Sequence, residues 1–446
     1  MSEKVIASLP LINRVIEGDQ CIACGACISA CPPDNVRSTY NNFRGAMEAE
    51  IIALEGCDGC DMPCDSVCPS IAIDFVKARA SIHRGNPDDP KPLRDGWVHS
   101  VHLGWSANYR DDGISSSGGI LRAMVANSLE TGRPVVCLAS DPDDNKLKPR
   151  LLTRIEDLSY VPGSIYHSTS FAGAIELIRS AEKPVMLVAI PCQLAGILQY
   201  ISNCEEGLGK NIEVVAGLIC GWMFSHHSLS AFANFKKISE PIIDARYRGG
   251  DRVGKLKLIT REKVLAFDRR DFKTGQDHID YRSSFSTDYN RLRCRGCEDH
   301  INMLADVSVG DAWLGRTSTK KISVVVARSK AGENLVNELE NSGKINLEPS
   351  SFDDLIESQS RNLVFGTVAK KINQQINEGG GISPRYTFND SGEPVSVSFL
   401  ARLRFRVEIK LREVVRKKRY EAYRIFMVAR HPSLLLRFLL DFFRGN

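Results

Sequence analysis

Eight of the fourteen cysteines fall between positions 21 and 68, and their spacing can do chemistry. Cys21, Cys24, Cys27 and Cys31, followed by Pro32, form a C-x2-C-x2-C-x3-C-P run. Cys57, Cys60, Cys64 and Cys68, followed by Pro69, repeat it with one extra residue between the second and third cysteines. Three thiolates in one loop can grip three corners of a [4Fe-4S] cubane while a more distant cysteine supplies the fourth, and where two such runs share a domain the fourth comes from the other run. Cys21, Cys24 and Cys27 are therefore expected to work with Cys68, and Cys57, Cys60 and Cys64 with Cys31. Two structural zinc sites are the alternative. Zinc prefers well-separated C-x2-C pairs, so a triplet plus Cys-Pro, occurring twice, fits it poorly.

A second constellation is dispersed. Cys192 follows the apolar run Val185–Ile190 in Ile-Pro-Cys-Gln, Cys220 follows Val214–Ile219 in Leu-Ile-Cys-Gly, and Cys294 and Cys297 form a C-x2-C. The first two sit at the C-terminal ends of predicted parallel strands, the edge where open α/β sheets bind ligands. Together the four residues are either ligands of one further site or, for Cys192 and Cys220, small buried hydrophobes. Cys137 and Cys204 match no pattern and read as packing residues. No Ser-His-Asp, phosphate-loop or paired-carboxylate arrangement competes, and no catalytic residue is identified.

The elements that must position these groups read as four blocks: 1–80, 97–170, 171–345 and 346–446. The first is a small α+β ferredoxin-like module with two [4Fe-4S] sites and a short strand at Ile71–Phe75. Gly85–Gly96, rich in Pro, Asp and Asn, reads as a linker. Then come a strand at His102–Ser106, a polar loop Asp111–Ser117, and a helix Ile120–Glu130 opened by Gly118 and Gly119 and stopped at Gly132. Strands Val135–Ala139, Val185–Ile190 and Ile212–Ile219 alternate with helices Ala172–Ala181, Gln193–Ile201 and Ser228–Ile238, which predicts a mostly parallel α/β sheet. Ala245–Phe267 reads as a basic hairpin-rich insert, Val307–Val309 and Ser323–Ala327 as strands, and Glu333–Asn341 as a helix. Beyond Glu348 the pattern is sparse until Ser396, after which Leu400, Leu403, Val407, Leu411 and Val414 mark an amphipathic helix.

Composition bounds the rest. With 446 residues, 43% hydrophobic and 25% charged, the chain has the make-up of an ordinary globular protein of two to three domains. Met1–Gly18 has no apolar leader segment, so a reducing cytoplasm, where thiols are free to bind metal, is the expectation. The net charge of +4 is uneven. Residues 401–446 hold thirteen Lys and Arg against four Asp and Glu, leaving about −5 for the remainder. The longest apolar stretch, Leu434–Phe443, contains Arg437 and Asp441 and is too short to span a bilayer.

Ser-Gly-Gly-Ile at 117–120, Ala-Ile-Pro-Cys-Gln at 189–193, Cys220, and Cys-Arg-Gly-Cys-Glu-Asp with Ala-Asp-Val-Ser-Val-Gly-Asp at 305–311 occur in order. This set resembles the coenzyme F420 hydrogenase/dehydrogenase beta-subunit family from about Trp97 to Gly343, with the ferredoxin block a common N-terminal attachment. That family includes 7-hydroxymethyl chlorophyll a reductases and deazaflavin-dependent sulfite reductases. The resemblance implies an α/β flavoprotein domain in which FAD lies beside a third [4Fe-4S] cluster held by Cys192, Cys220, Cys294 and Cys297. Ser115, Ser116, Ser117, Gly118 and Gly119 precede a helix N-terminus, where small residues let a ligand approach backbone N–H groups. Ser164, Tyr166 and Ser168, after Gly163, resemble the family's second flavin-contacting segment. The family often has a basic residue where Ile165 or His167 stands here.

The expected function is a flavin- and iron-sulfur-dependent oxidoreductase that passes electrons between clusters and a hydride-carrying substrate at FAD, with coenzyme F420 the first choice. A ferredoxin-dependent reductase of a conjugated ring compound and a non-catalytic electron-transfer subunit are the alternatives. Arg246, Arg248, Arg252, Lys255 and Lys257 could form a basic mouth for an anionic deazaflavin, or simply a solvated hairpin. The Gly-Trp-Pro-Gly associated with many family members is missing there. The basic tail suits an anionic membrane surface or an acidic redox partner such as ferredoxin, and packing on the protein itself or on a second copy is the plainer option. Its basic residues lack stacking aromatic neighbours, which argues against nucleic acid. A homo-oligomer or a subunit of a larger complex is expected.

Overall fold

The computed structural model describes residues 11–387 apart from 32–34, 54–56, 58–59, 62, 84–95, 145, 249, 251–253, 271–277, 286–288, 318–319 and 379–383. The predicted linker, Arg252 and the basic tail lie outside the described residues.

The N-terminal part begins with α1 (Leu11–Glu17), which buries Ile12 and Val15, and α2 (Ala26–Ser29), which carries Cys27. A hairpin follows, β1 (Val36–Asn41) and β2 (Ala46–Ile51), antiparallel in the register Val36↔Ile51 to Asn41↔Ala46. Then come α3 (Pro63–Ser66), β3 (Ala72–Asp74) and α4 (Phe75–His83). Helices near the cysteines are a single turn long. Thiols that converge from one loop need turned backbone, and Asp19 and Ala23 adopt φ of 59° and 54° to supply it.

The second part runs β4 (Ser100–Ser106), α5 (Ile120–Glu130), β5 (Val135–Ser140), β6 (Leu147–Leu152), α6 (Ala174–Ser180), β7 (Val185–Ala189), α7 (Pro191–Cys204), β8 (Ile212–Leu218) and α8 (His227–Phe235). It continues through β9 (Asp244–Arg246), β10 (Lys255–Ile259), β11 (Val264–Asp268), α9 (Ile279–Ser284), α10 (Leu292–Arg295), β12 (Val307–Asp311) and β13 (Ser323–Ala327). The last elements are α11 (Lys330–Asn341), β14 (Ile345–Pro349), α12 (Phe352–Glu378) and β15 (Arg385–Thr387).

Among the described residues, eight strands form one sheet in the order β14-β4-β13-β12-β8-β7-β5-β6. Four contiguous strands, β12, β8, β7 and β5, are parallel, and β4 runs the same way. Antiparallel β6, β13 and β14 complete a mixed α/β sheet in which five of eight strands share one direction. β7 and β13 are buried at every position, as strands covered on both faces must be. Each fully buried Val or Leu there stabilises the fold by ~1.5–3 kcal/mol. The basic insert is a separate three-stranded antiparallel sheet, β11-β10-β9, as its hairpin pattern predicts.

Two features depart from the sequence reading. The supposedly sparse segment after Glu348 contains the 27-residue helix α12, whose buried face includes Ser358, Gln359 and Asn373 as well as Leu355 and Ala369. Polar side chains on the inner face erase the apolar period that sequence reading relies on. After α12 the chain returns to the N-terminal part, where β15 pairs parallel with β3 and Tyr386 stacks on Phe75 at 5.9 Å. β15 thus packs on the N-terminal part, and Asn373 of α12 donates to Gly296 O beside Cys297.

Candidate functional site

Cys21, Cys24, Cys27 and Cys68 line one cavity, together with Ile12, Val15, Ile22 and Ala49, with about 400 Å³ of empty space including its mouth. Burial pushes the Cys24 thiol up to about 12 and raises Cys21, Cys27 and Cys68 as well. Backbone N–H groups of Ala49 and Ala23 point at Cys21 Sγ at 3.2 and 3.4 Å, which favours the thiolate. An apolar nest of four thiols is a poor place for free thiolates. It suits a cationic metal core, which deprotonates its ligands.

Cys31 and Cys60 lie within electrostatic reach of Cys64, and burial, then Asp65 and these thiols, pushes the Cys64 thiol up to about 12. Cys68 lies among Cys21, Cys24 and Cys27 instead. The spacing predicts a crossed arrangement, and Cys64 too is among the thiols acting on Cys27. Among the described residues, no three His, Cys, Asp or Glu side chains converge on a point where a single metal ion could sit.

The dispersed cysteines also meet. Burial, then the neighbouring Cys192, Cys294 and Cys297, raises the Cys220 thiol, and Cys192 responds likewise to Cys294 and Cys297. Cys192 is the second residue of α7, directly after β7, and Cys220 follows β8. The Asn302 side chain ties these two strand ends together by donating to Ala189 O at 2.9 Å and Leu218 O at 3.1 Å. Cys220 N donates to His300 O, and His300 Nδ1 lies 2.9 Å from Cys220 O, which clamps the Cys220 loop to the segment after Cys297. Cys137 packs inside the sheet as expected, whereas Cys204 is exposed at the end of α7.

Helix α7 joins the two nests. Cys192, Gly196, Gln199 and Asn203 recur on one helical face. A Cβ on Gly196 would stand 2.8 Å from Cys24 Sγ, Gln199 Nε2 donates to Val67 O at 3.2 Å, and Asn203 Nδ2 donates to Ser66 O at 2.8 Å. One turn of helix, about 5.4 Å, therefore separates the Cys192 end from the contact with Cys24. From the other side Arg291, 1% exposed, holds Asp19 Oδ1 at 2.9 Å and donates to Cys21 O at 2.8 Å. Neither Gly196 nor Arg291 stands out in the sequence. A glycine inside a helix pattern beside a cysteine motif is the signal that was there to be read.

The two segments expected at a flavin are neighbours: Ser164 Oγ donates to Ser116 Oγ at 2.7 Å. Within the first, the glycines serve the chain's own backbone. A Cβ on Gly118 would lie 2.3 Å from Gly104 O, one on Gly119 would lie 2.5 Å from Tyr109 C, and Gly118 N–H already donates to Ser323 Oγ. Gly119 caps α5 at φ 76°, a left-handed value that glycine adopts freely. Ser117 Oγ donates to Ile322 O, and Ser115 is tied to Asp112. Ser168 is buried and receives Met47 N–H from β2 at 3.2 Å, so its hydroxyl joins the hairpin to the α/β part. Ser116 and Ser164 are joined to each other, and the Tyr166 side chain interacts with Arg248. Tyr166 O accepts Phe224 N–H, four residues beyond Cys220, which links the segments of the two candidate sites.

The predicted basic mouth divides. Arg248 is buried and donates to Asp311 Oδ2 at 2.5 Å and to Ser116 O at 2.7 Å, so it braces the serine loop. Arg246 is exposed on β9, and Lys255 pairs with Asp268 across the hairpin at 3.1 Å. Near the serine loop, two residues escaped sequence reading and Asp311 was noted only as the end of the 305–311 motif. Asp311 ends β12, Trp313 lies 5.6 Å from the Arg248 guanidinium and is 40% exposed, and Lys321 is buried with Nζ lacking a hydrogen-bond partner.

Among the described residues, no helix is long and apolar enough to cross a membrane.

Residues 182–352 match the family model for the C terminus of the coenzyme F420 hydrogenase/dehydrogenase beta subunit. The chain is 24% identical over 320 residues to the F subunit of the F(420)H(2) dehydrogenase of Methanosarcina mazei, covering 68% of this chain and 80% of that protein. It is 22% identical over 251 residues to the beta subunit of the coenzyme F420 hydrogenase of Methanothermobacter thermautotrophicus, covering 53% and 79% respectively. A chain of the F420-reducing [NiFe] hydrogenase complex from Methanosarcina barkeri superposes with a TM-score of 0.48 at 18% identity, covering 66% of this chain and 98% of that one.

Proposed function

Because this chain belongs to the coenzyme F420 hydrogenase/dehydrogenase beta-subunit family, we propose that it is an oxidoreductase subunit that exchanges a hydride with coenzyme F420 at a bound FAD and passes the electrons through three [4Fe-4S] clusters to a redox partner. The observation that carries this reading is the contact of Gly196 with Cys24, one helical turn beyond Cys192, which sets two thiol nests against each other across α7.

In this reading Cys192, Cys220, Cys294 and Cys297 hold the cluster nearest the flavin. Cys21, Cys24, Cys27 and Cys68 hold the next, and Cys57, Cys60, Cys64 and Cys31 the outermost. A flavin, when bound, accepts a hydride as an electron pair and releases the electrons singly, as one-electron clusters require. The chain's own residues do the rest. Ser116, Ser164 and Tyr166 orient the ring system, while Arg248 fixes the serine loop against Asp311. Asn302 and His300 hold the Cys192 and Cys220 strand ends in register. Apolar walls of Ile12, Val15, Ile22 and Ala49 keep water from the inner nest, and hydrogen bonds to Cys21 Sγ favour its charged form.

Anaerobic purification followed by metal, sulfide and flavin analysis tests the proposal. About twelve iron, about twelve acid-labile sulfide and one flavin per chain are expected. A value near eight iron would remove the dispersed site, stoichiometric zinc would overturn the cluster reading, and iron without flavin would reduce the chain to an electron wire.

A further inference from the structure

Arg291 and Arg293 stand two residues apart around α10, each 1% exposed, and they are satisfied in opposite ways. Arg291 meets carboxylates: Asp19 at 2.9 Å and Glu48 at 3.9 Å. Arg293 donates through Nη2 to Pro69 O at 3.1 Å and faces the Tyr386 ring at 5.6 Å. Its Nε and Nη1 have no hydrogen-bond partner, and no carboxylate of the described residues stands within ion-pairing distance. Glu298, within electrostatic reach, accepts a hydrogen bond from Asn373 Nδ2 at 3.0 Å.

An arginine cannot shed its proton, and a buried cation left unneutralised costs several kcal/mol. Beside the Tyr386 phenol and Glu298, the groups around Arg293 are thiols from both nests: Cys24 and Cys68 on one side, Cys192 and Cys297 on the other. Chain position agrees, since Pro69, which accepts its hydrogen bond, follows Cys68, and Cys294 follows Arg293 itself. The main influences on Cys64 include Cys31 and Cys60 and not this guanidinium.

We propose that Arg293 is the shared counter-charge of the two adjoining clusters, raising both reduction potentials together so that an electron crosses the one-turn gap of α7 without a large step in energy. A fixed positive charge favours the reduced, more negative state of a cluster, and second-sphere charge and hydrogen bonds are among the levers that set cluster potentials. The inference rests on the reading that both nests hold iron-sulfur clusters.

The test is an EPR-monitored redox titration of the full-length, cluster-loaded chain, with iron analysis, for wild type, Arg293→Gln and Arg293→Lys. Arg293→Gln is expected to lower the two inner potentials, cutting the ratio of reduced to oxidised cluster at the wild-type midpoint at least tenfold, about 59 mV for a one-electron couple. The outer cluster should stay in place, and Arg293→Lys should remain near wild type. Full iron with unmoved inner potentials in Arg293→Gln overturns the inference while the cluster reading stands, and so does an equal shift of all three clusters. Should Arg293→Gln fail to load iron, Arg293→Lys decides. Loading with wild-type potentials upholds a role for the charge, and failure of both variants makes Arg293 a packing residue. A wild-type chain that binds no iron fails the reading beneath the inference and the inference with it.

Discussion

Gly196 lies one turn of α7 beyond Cys192, and a Cβ placed on it would stand 2.8 Å from Cys24 Sγ and 3.2 Å from Cys24 Cβ. The helix that carries one nest thus approaches the other closely enough to forbid a side chain. Gly196→Val should therefore disturb the Cys24 ligand and spare the sheet. We expect iron to fall from about twelve to about eight per chain with unchanged far-UV circular dichroism. Full iron in the purified variant would show that the two nests are not in register through this contact.

Arg291 fastens the N-terminal part to the rest through Asp19 and Cys21 O. Arg291→Met would leave Asp19 and Glu48, 4% exposed each, with less compensation. Breaking a buried ion pair by removing one partner costs ~3–5 kcal/mol. Denaturant unfolding of the apo-chain should show a loss of that order. A loss under 1 kcal/mol would mean that Arg44, which also contacts Glu48, suffices alone.

His167 gives a pH signature. Its Nδ1 lies 2.8 Å from Tyr247 Oη and its ring centroid 4.4 Å from that of His226. Burial, reinforced by His226, lowers its pKa to about 3. An unfolded histidine titrates near 6.5, so between these values the unfolded chain binds a proton that the folded chain refuses. Stability then falls as pH drops below about 6.5, at up to ~1.4 kcal/mol per pH unit from this group. His167→Gln should flatten the pH dependence of the urea midpoint between pH 6.5 and 5. An unchanged slope would assign the acid sensitivity elsewhere.

Much of this arrangement was legible in the sequence, for physical reasons. The cysteine spacing predicts a crossed pairing because a cubane dictates how far apart its ligands stand along a chain. The strand-end positions of Cys192 and Cys220 follow from apolar runs that end at a Pro or a Gly. What stayed hidden were elements held by polar contacts. The inner face of α12 uses Gln359 on Asp311 O and Asn373 on Gly296 O, leaving no apolar stripe. The burial of Arg248 also ran against expectation, and that of Arg293 gave no sign in the sequence, because a charge inside a protein is determined by partners distant in the sequence. Gly118 and Gly119 were noticed for a ligand's sake, yet their small size is taken up by Gly104 and Tyr109.

Anaerobic mixing of the cluster-loaded chain with reduced coenzyme F420 tests the central claim most directly. The account predicts prompt bleaching of the flavin band, then loss of the broad cluster absorption, with oxidised F420 appearing at two electrons per molecule. A loaded protein whose flavin and clusters stay oxidised while F420 stays reduced would contradict it.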